Sequence, residues 1–108
     1  MQFDSKQLNV AIDISASGDN TIISAPTTGY LAIDHVNFIP TTSVGVVLKN
    51  GSTANTGTYP LDAKQAFTVE NPSDWRDGVI TCLPGEAFVI NLDDAVQLSG
   101  MVRYRVIG

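Results

Sequence analysis

One histidine, one cysteine and eleven carboxylates are the first side chains to weigh for proton-transfer or metal chemistry. For nucleophilic catalysis His35 would have to be the base, with Asp34 beside it. Neighbours along a strand point to opposite faces, so the pair does not converge, and a locally hydrogen-bonded histidine is the expectation. A zinc site needs several Cys, His or carboxylate ligands at set spacing, and neither CxxC nor HExxH occurs. There is no D-x-[DN]-x-[DN]-G calcium loop either. Asp93-Asp94 would have to ligate from opposite faces and is read as an ordinary turn. Glycoside hydrolysis needs two carboxylates facing across a cleft. The acidic residues here fall mostly in turns, where solvation explains them. Neither a G-x-S-x-G elbow nor a phosphate-cradling glycine loop is present. The lone Cys82 has no internal disulfide partner, which suits a reducing compartment, and in a buried strand it would be inert. No catalytic, cofactor-binding or metal-binding residue is therefore assigned, and the chain is read as non-enzymatic.

The remaining chemistry is that of contact. Trp75 stands among Asp74, Arg76 and Asp77 in a polar stretch. Trp and Arg are enriched at binding hot spots, so Trp75 and Arg76 are candidate partner contacts, the alternative being a ring folded back as a lid. Tyr59, next to Pro60, has the same two readings. Arg103 and Arg105 share the polar face of the last strand, either solvated or paired with acidic residues of a neighbouring subunit.

The elements that must position these residues are strands. Leu8, Val10, Ile12 and Ile14 alternate with polar or small residues, the period-2 pattern of a half-buried strand. Ser17 to Asn20 reads as a turn before the β-branched run Thr21-Ile22-Ile23. Tyr30 to Ile39 is the longest candidate strand. Its apolar parity changes between Ile33 and Val36, which predicts a bulge near Asp34-His35. Val44, Val46 and Leu48 begin another strand, closed by Asn50-Gly51, the usual signature of a type I′ hairpin turn. The polar string from Thr53 to Thr58 is then a hairpin return and rim loop. Asn50-Gly51-Ser52 also matches a glycosylation acceptor, a match given little weight without a signal peptide. Phe67 to Val69, Val79 to Leu83, Phe88 to Leu92 and Val102 to Val106 complete the series. Phe88, Ile90 and Leu92 are expected inward, as are Val102, Tyr104 and Val106. Asp62 to Ala66 could form one helical turn, too short to stand alone.

About eight short strands separated by turns predict an all-β fold. The expectation is a single-domain antiparallel β-sandwich over 1–108, jelly-roll-like. Residues 1–16 are either an N-terminal arm or an extra strand. The length of 108 residues suits one domain whose core needs no staple. With 44% hydrophobic and 16% charged residues the chain is too apolar for disorder, and no apolar run is long enough for a membrane helix. A net charge of −5 without a basic cluster argues against nucleic acid. The opening MQFDSKQLNV has neither a basic nor an apolar leader region and is not read as a signal peptide.

Taken in order, several segments resemble the small jelly-roll capsid decoration, or cement, proteins of tailed bacteriophages. The resemblance runs from about Ser17 to Ile107. Asn20 to Pro26, Val46 to Thr53, Pro60-Leu61, the loop containing Trp75, Pro84 to Leu92 and the closing strand after Ser99-Gly100 carry it. The chain is less Ala-rich than the plainest members and adds the strand-like segment Leu8 to Ser15. The resemblance implies a virion protein, made in the host cytoplasm, that sits on the capsid exterior as a homotrimer and stabilises the shell through the major capsid protein. The alternative is a carbohydrate- or receptor-binding module of a phage tail or fibre, since jelly rolls also host lectins. Tyr30, Tyr59 and Trp75 would be its stacking platforms. A neck or baseplate role in the same virion is a third reading.

Overall fold

The computed structural model describes residues 6–71 and 76–108, in which ten strands form. They are β1 (Leu8–Ile14), β2 (Gly18–Ile23), β3 (Tyr30–Pro40), β4 (Val44–Asn50) and β5 (Thr53–Ala54). Then follow β6 (Tyr59–Leu61), β7 (Phe67–Glu70), β8 (Ile80–Thr81), β9 (Phe88–Leu92) and β10 (Leu98–Ile107). One sheet has the order β1-β10-β3-β7, with β8 on the same edge of β3 as β7. The other has the order β2-β9-β4-β5, with β6 also on β4. Every pair is antiparallel.

The order is that of a long ribbon wrapped on itself. The first strand pairs with the last and β2 with β9. β3 then pairs with β7 and β8, and β4 with β5 and β6. This is the jelly-roll plan. Ten strands occupy eight positions, because the two edges opposite β1 and β2 are each built from an interrupted pair. The expected extra strand is β1, paired with β10 over all seven of its residues.

The core lies between the sheets. Ile12, Leu31, Ile33, Val36, Phe38, Leu98 and Val102 meet Val44, Val46, Leu48, Phe88, Ile90 and Leu92. Alternation along each strand sends these side chains to one face, and fully burying each stabilises the fold by roughly 2 kcal/mol. Phe88, Ile90 and Leu92 point inward as expected, and so does Val102. Val106 does not: it is exposed, and Ile107 takes the buried place at the end of β10. No described helix is long and apolar enough to cross a membrane.

Three local expectations need correction. The run read as a turn at Ser17 to Asn20 is strand from Gly18 onward, with Gly18 to Thr21 laddered onto β9. The hairpin after β4 exists, but its turn is one residue later. Asn50 pairs with Thr53, leaving Gly51-Ser52 as the two-residue loop. Gly51 has φ +57°, and Asn50 and Ser52 are not in the positive-φ region, the φ signature of a type II′ rather than a type I′ turn. Asn50 is instead buried, its carboxamide accepting from the Leu83 amide and donating to Asn55 Oδ1. A glycan acceptor it is not, since its nitrogen is enclosed. Finally, the polar string after it is an interrupted edge strand, not a loop alone. The Asn55 amide donates to Leu48 O, and Thr56 Oγ1 accepts from the Leu48 amide before β6 resumes pairing on β4.

Candidate functional site

The bulge expected in the longest strand is present, and the most connected polar cluster among the described residues is built on it. Across β3 and β10, His35 faces Arg103 while Ile33 faces Tyr104, so Asp34 is the extra residue. On the other edge of β3 the partner strand is interrupted at the same place. β7 pairs with His35 to Phe38 and β8 with Ala32 and Ile33, while Asn71 and Val79 lie just outside those two strands. Two backbone bonds hold them to β3, from the Asn71 amide to Asp34 O and from the Val79 amide to Ile33 O. Gly78 is needed next to Val79. Its φ is +74°, and a Cβ there would lie 2.4 Å from Ile33 O.

The Asp34 carboxylate is 7% exposed and accepts from three separate segments. Arg105 grips it side-on, Nε to Oδ2 at 2.7 Å and Nη2 to Oδ1 at 2.9 Å. Asn71 Nδ2 donates to Oδ1 and Gln7 Nε2 to Oδ2, each at 3.2 Å. Arg105 Nη2 also donates to the Arg76 carbonyl at 2.8 Å, which ties in the residues that lead into β8. Next to it Tyr30 Oη donates to Asp77 Oδ1 at 2.5 Å, and Thr81 Oγ1 to the Asp77 carbonyl. Burial pushes the Asp34 carboxyl up. The hydrogen bonds from Arg105, Asn71 and Gln7 and the Arg105 charge outweigh it and leave the group below the ordinary carboxylate range. Arg105 is correspondingly raised, chiefly by its bond to Asp34. The bond to Asp77 is likewise the main cause that raises Tyr30.

The structure places the sequence candidates as follows. Arg105, read as a contact for a neighbouring subunit, has its guanidinium engaged within its own chain. Arg103 remains exposed, its Nε donating to Asn9 Oδ1. Arg76 is exposed beside the cluster. Tyr59 packs on Phe67 at 4.6 Å between ring centroids, and Phe67 stacks on Phe38 at 4.8 Å. This ladder of rings lines the side of the sandwich between β6 and β7 and leaves Tyr59 half-buried. Trp75 lies outside the described residues. His35 behaves as expected, with Nε2 2.8 Å from Asn37 Nδ2 and Nδ1 3.9 Å from Glu70. Asp93 Oδ1 accepts from the Gly45 amide, and Asp94 Oδ1 from the Ala95 amide, as turn carboxylates do. Among the described residues no group of three His, Cys, Asp or Glu side chains could hold a metal ion. Cys82 is buried, just past β8, its thiol pushed up to about 11 by desolvation and then by Glu86.

Sequence reasoning weighed Asp34 only as a partner for His35 and missed its own role. The signal was there: an acid inside an apolar strand, at the residue where parity breaks, requires a cation or several donors. Which cation would serve, 71 residues along the chain, only the register decides. The second sheet carries a smaller counterpart on its outer face, where Asp19 accepts from Lys49 and Asn91. That carboxyl is lowered first by Asn91 and then by Lys49. No protein-family model matches the sequence, and no curated protein is significantly similar to it.

Proposed function

We propose that this chain is a non-enzymatic virion structural protein that binds the outer capsid surface and stabilises the shell as a decoration protein. What supports the reading is the strand order, taken with the positions of the segments that carry the resemblance. Asn20 to Pro26 is β2 and its exit, Val46 to Thr53 the β4–β5 hairpin, and Pro60-Leu61 part of β6. Pro84 to Leu92 is the turn into and through β9, and Ser99-Gly100 lies near the start of β10. A clamp of this kind needs a rigid scaffold and exposed loops rather than an active site. Trimers would multiply weak contacts, because once one subunit is docked the others bind at high effective concentration. A net acidic surface would keep decorated particles apart.

The test is to add purified protein to undecorated capsids and image them by cryo-electron microscopy. The expected result is density at regular positions on the shell, arranged as trimers. A bare shell at saturating protein would sink the proposal.

A further inference from the structure

We propose that β1 is a pairing edge for a second copy of this chain. The two β1 strands run antiparallel about a two-fold axis at Ala11 and join the first sheets of both copies into one. This goes beyond the decoration reading and does not rest on it: the pair forms in the free chain, whereas decoration concerns the shell-bound one.

Among the described residues four edges end the two sheets, and three of them are built against pairing. The edge opposite β1 is split between β7 and β8. That opposite β2 is split between β5 and β6, with Pro60 in β6. β2 itself shifts register between Thr21 and Ile23. Breaks, bulges and prolines of this kind blunt an edge. β1 has none of them. Its residues Leu8 to Ile14 pair with β10 in unbroken register and include no Pro, Lys or Arg. Alternate residues of an antiparallel strand turn their N–H and C=O away from the neighbour they face. No described strand pairs with β1 on that far side, so its outward-turned donors and acceptors are a template for another strand.

The side chains decide which strand fits. A continued sheet sets inward residues opposite inward ones, and pairing the whole of β1 with itself puts the axis at Ala11. Leu8 then faces the partner's Ile14, Val10 the partner's Ile12, and Asn9 the partner's Asp13. Leu8 is 40% exposed and Val10 and Ile14 are half-buried, so the apolar side chains along the seam gain cover. On the outer face Asn9, Ala11 and Asp13 are exposed, and the small Ala11 meets its own copy at the axis. Arg103 stands opposite Asn9 on β10 and donates Nε to its Oδ1. Two strand spacings, about 10 Å, separate its backbone from that of the partner's Asp13, within the joint reach of the two side chains. Asp13 Oδ1 accepts from Gln97 Nε2, and a carboxylate has room for further donors. Inside one chain Arg103 and Asp13 stay apart, because Asp13 lies four residues further along β1 than Asn9, about 13 Å. Opposite charges that meet only between copies, and meet twice by symmetry, make this edge self-complementary. One strand pair buries less area than an obligate interface, so the dimer is a weak, micromolar one.

The experiment follows sedimentation of the full-length chain at pH 7 and low salt, from low to high micromolar concentration, with a thermal melt of each variant. A monomer–dimer equilibrium is the expected result. Ala11→Lys sets two cations face to face at the axis and should weaken the dimer about tenfold or more. Thr68→Lys, in the same outward row on the opposite edge of the sheet, should leave it unchanged. Arg103→Asp and Asp13→Arg should each weaken it about tenfold, and the double variant should recover most of that loss. A chain that stays monomeric at high micromolar concentration overturns the proposal. So does association in solution that runs beyond two copies, that is indifferent to Ala11→Lys, or that the double charge swap does not recover. Should a variant not fold, amide exchange of the unaltered chain is compared at low and high concentration. Protection that rises with concentration in β1 but not in β2, β5 or β7 supports the pairing. Protection that is unchanged in β1, or that rises equally at the other edges, overturns it.

Discussion

A carboxylate set into a buried strand stays ionised only while donors and a cation replace the water it has lost. Asp34 has both, and its folded value therefore lies below the ordinary 3.8. The sign follows from linkage. Its contribution to stability is complete above the unfolded value and is lost as pH falls through the lower, folded one. Urea titrations from pH 7 down to 2.5 should show stability falling below about pH 4, and that part of the slope should vanish in Asp34→Asn. At pH 7 the same variant should lose about 3 kcal/mol, because Arg105 is left with a neutral partner in a half-buried place. Cys82 behaves in the opposite sense. With its thiol held up to about 11, the folded chain keeps a proton that the unfolded chain releases near 9, so stability should drift down between those values. A thiol reagent at pH 8 should label Cys82 only after denaturant is added. Rapid native labelling would mean that the strand end opens.

At the scale of elements, the β4–β5 hairpin and the crossing from β6 to β7 make separate predictions. Gly51 is in the left-handed region, and a Cβ there would lie 2.2 Å from Glu86 Oε1, the end of a flexible side chain. Gly51→Ala should cost about 1–2 kcal/mol, mostly from backbone conformation, and lower Tm by several degrees in a thermal melt. Asn50→Ala should cost a similar amount for another reason: it leaves the Leu83 amide without its acceptor inside the fold. Lys64 is the one described non-glycine residue with positive φ, at 61°. Its amide donates to Pro40 O and so holds the crossing against the end of β3. Lys64→Gly should leave Tm unchanged or slightly raised, whereas Lys64→Val should lower it, since a β-branched side chain tolerates that conformation poorly. Equal melting of the two variants would show that the crossing is not conformationally constrained.

For the whole molecule, the decoration proposal makes a claim about assembly. Native mass measurement should find three copies together at micromolar concentration or on the shell. A strict monomer in both settings would remove the trimer from the proposal. Measuring shell thermal stability with and without bound protein gives the functional readout, and the expected outcome is a higher melting temperature for the decorated particle. Of the contact candidates, Arg103 and Arg76 are exposed, and Tyr59 and Arg105 are half-buried. Alanine variants of Arg76 and Arg103 that keep the native Tm should therefore weaken shell binding if those surfaces touch the capsid.

By itself the sequence determined the class of fold and most of its strands, because period-2 burial and turn residues are local properties. The alternation from Leu8 to Ile14, the inward set Phe88, Ile90 and Leu92, and even the bulge at Asp34 could be read residue by residue. The turn at Asn50 was legible as a turn but not in its register. A buried acceptor for the Leu83 amide, 33 residues away, competes with the dipeptide's own preference and wins. The tertiary structure alone decided the pairing of Asp34 with Arg105, and with it the fate of Arg105 as a surface residue. That choice rests on which strands are neighbours, and neighbours in a wrapped ribbon are far apart along the chain.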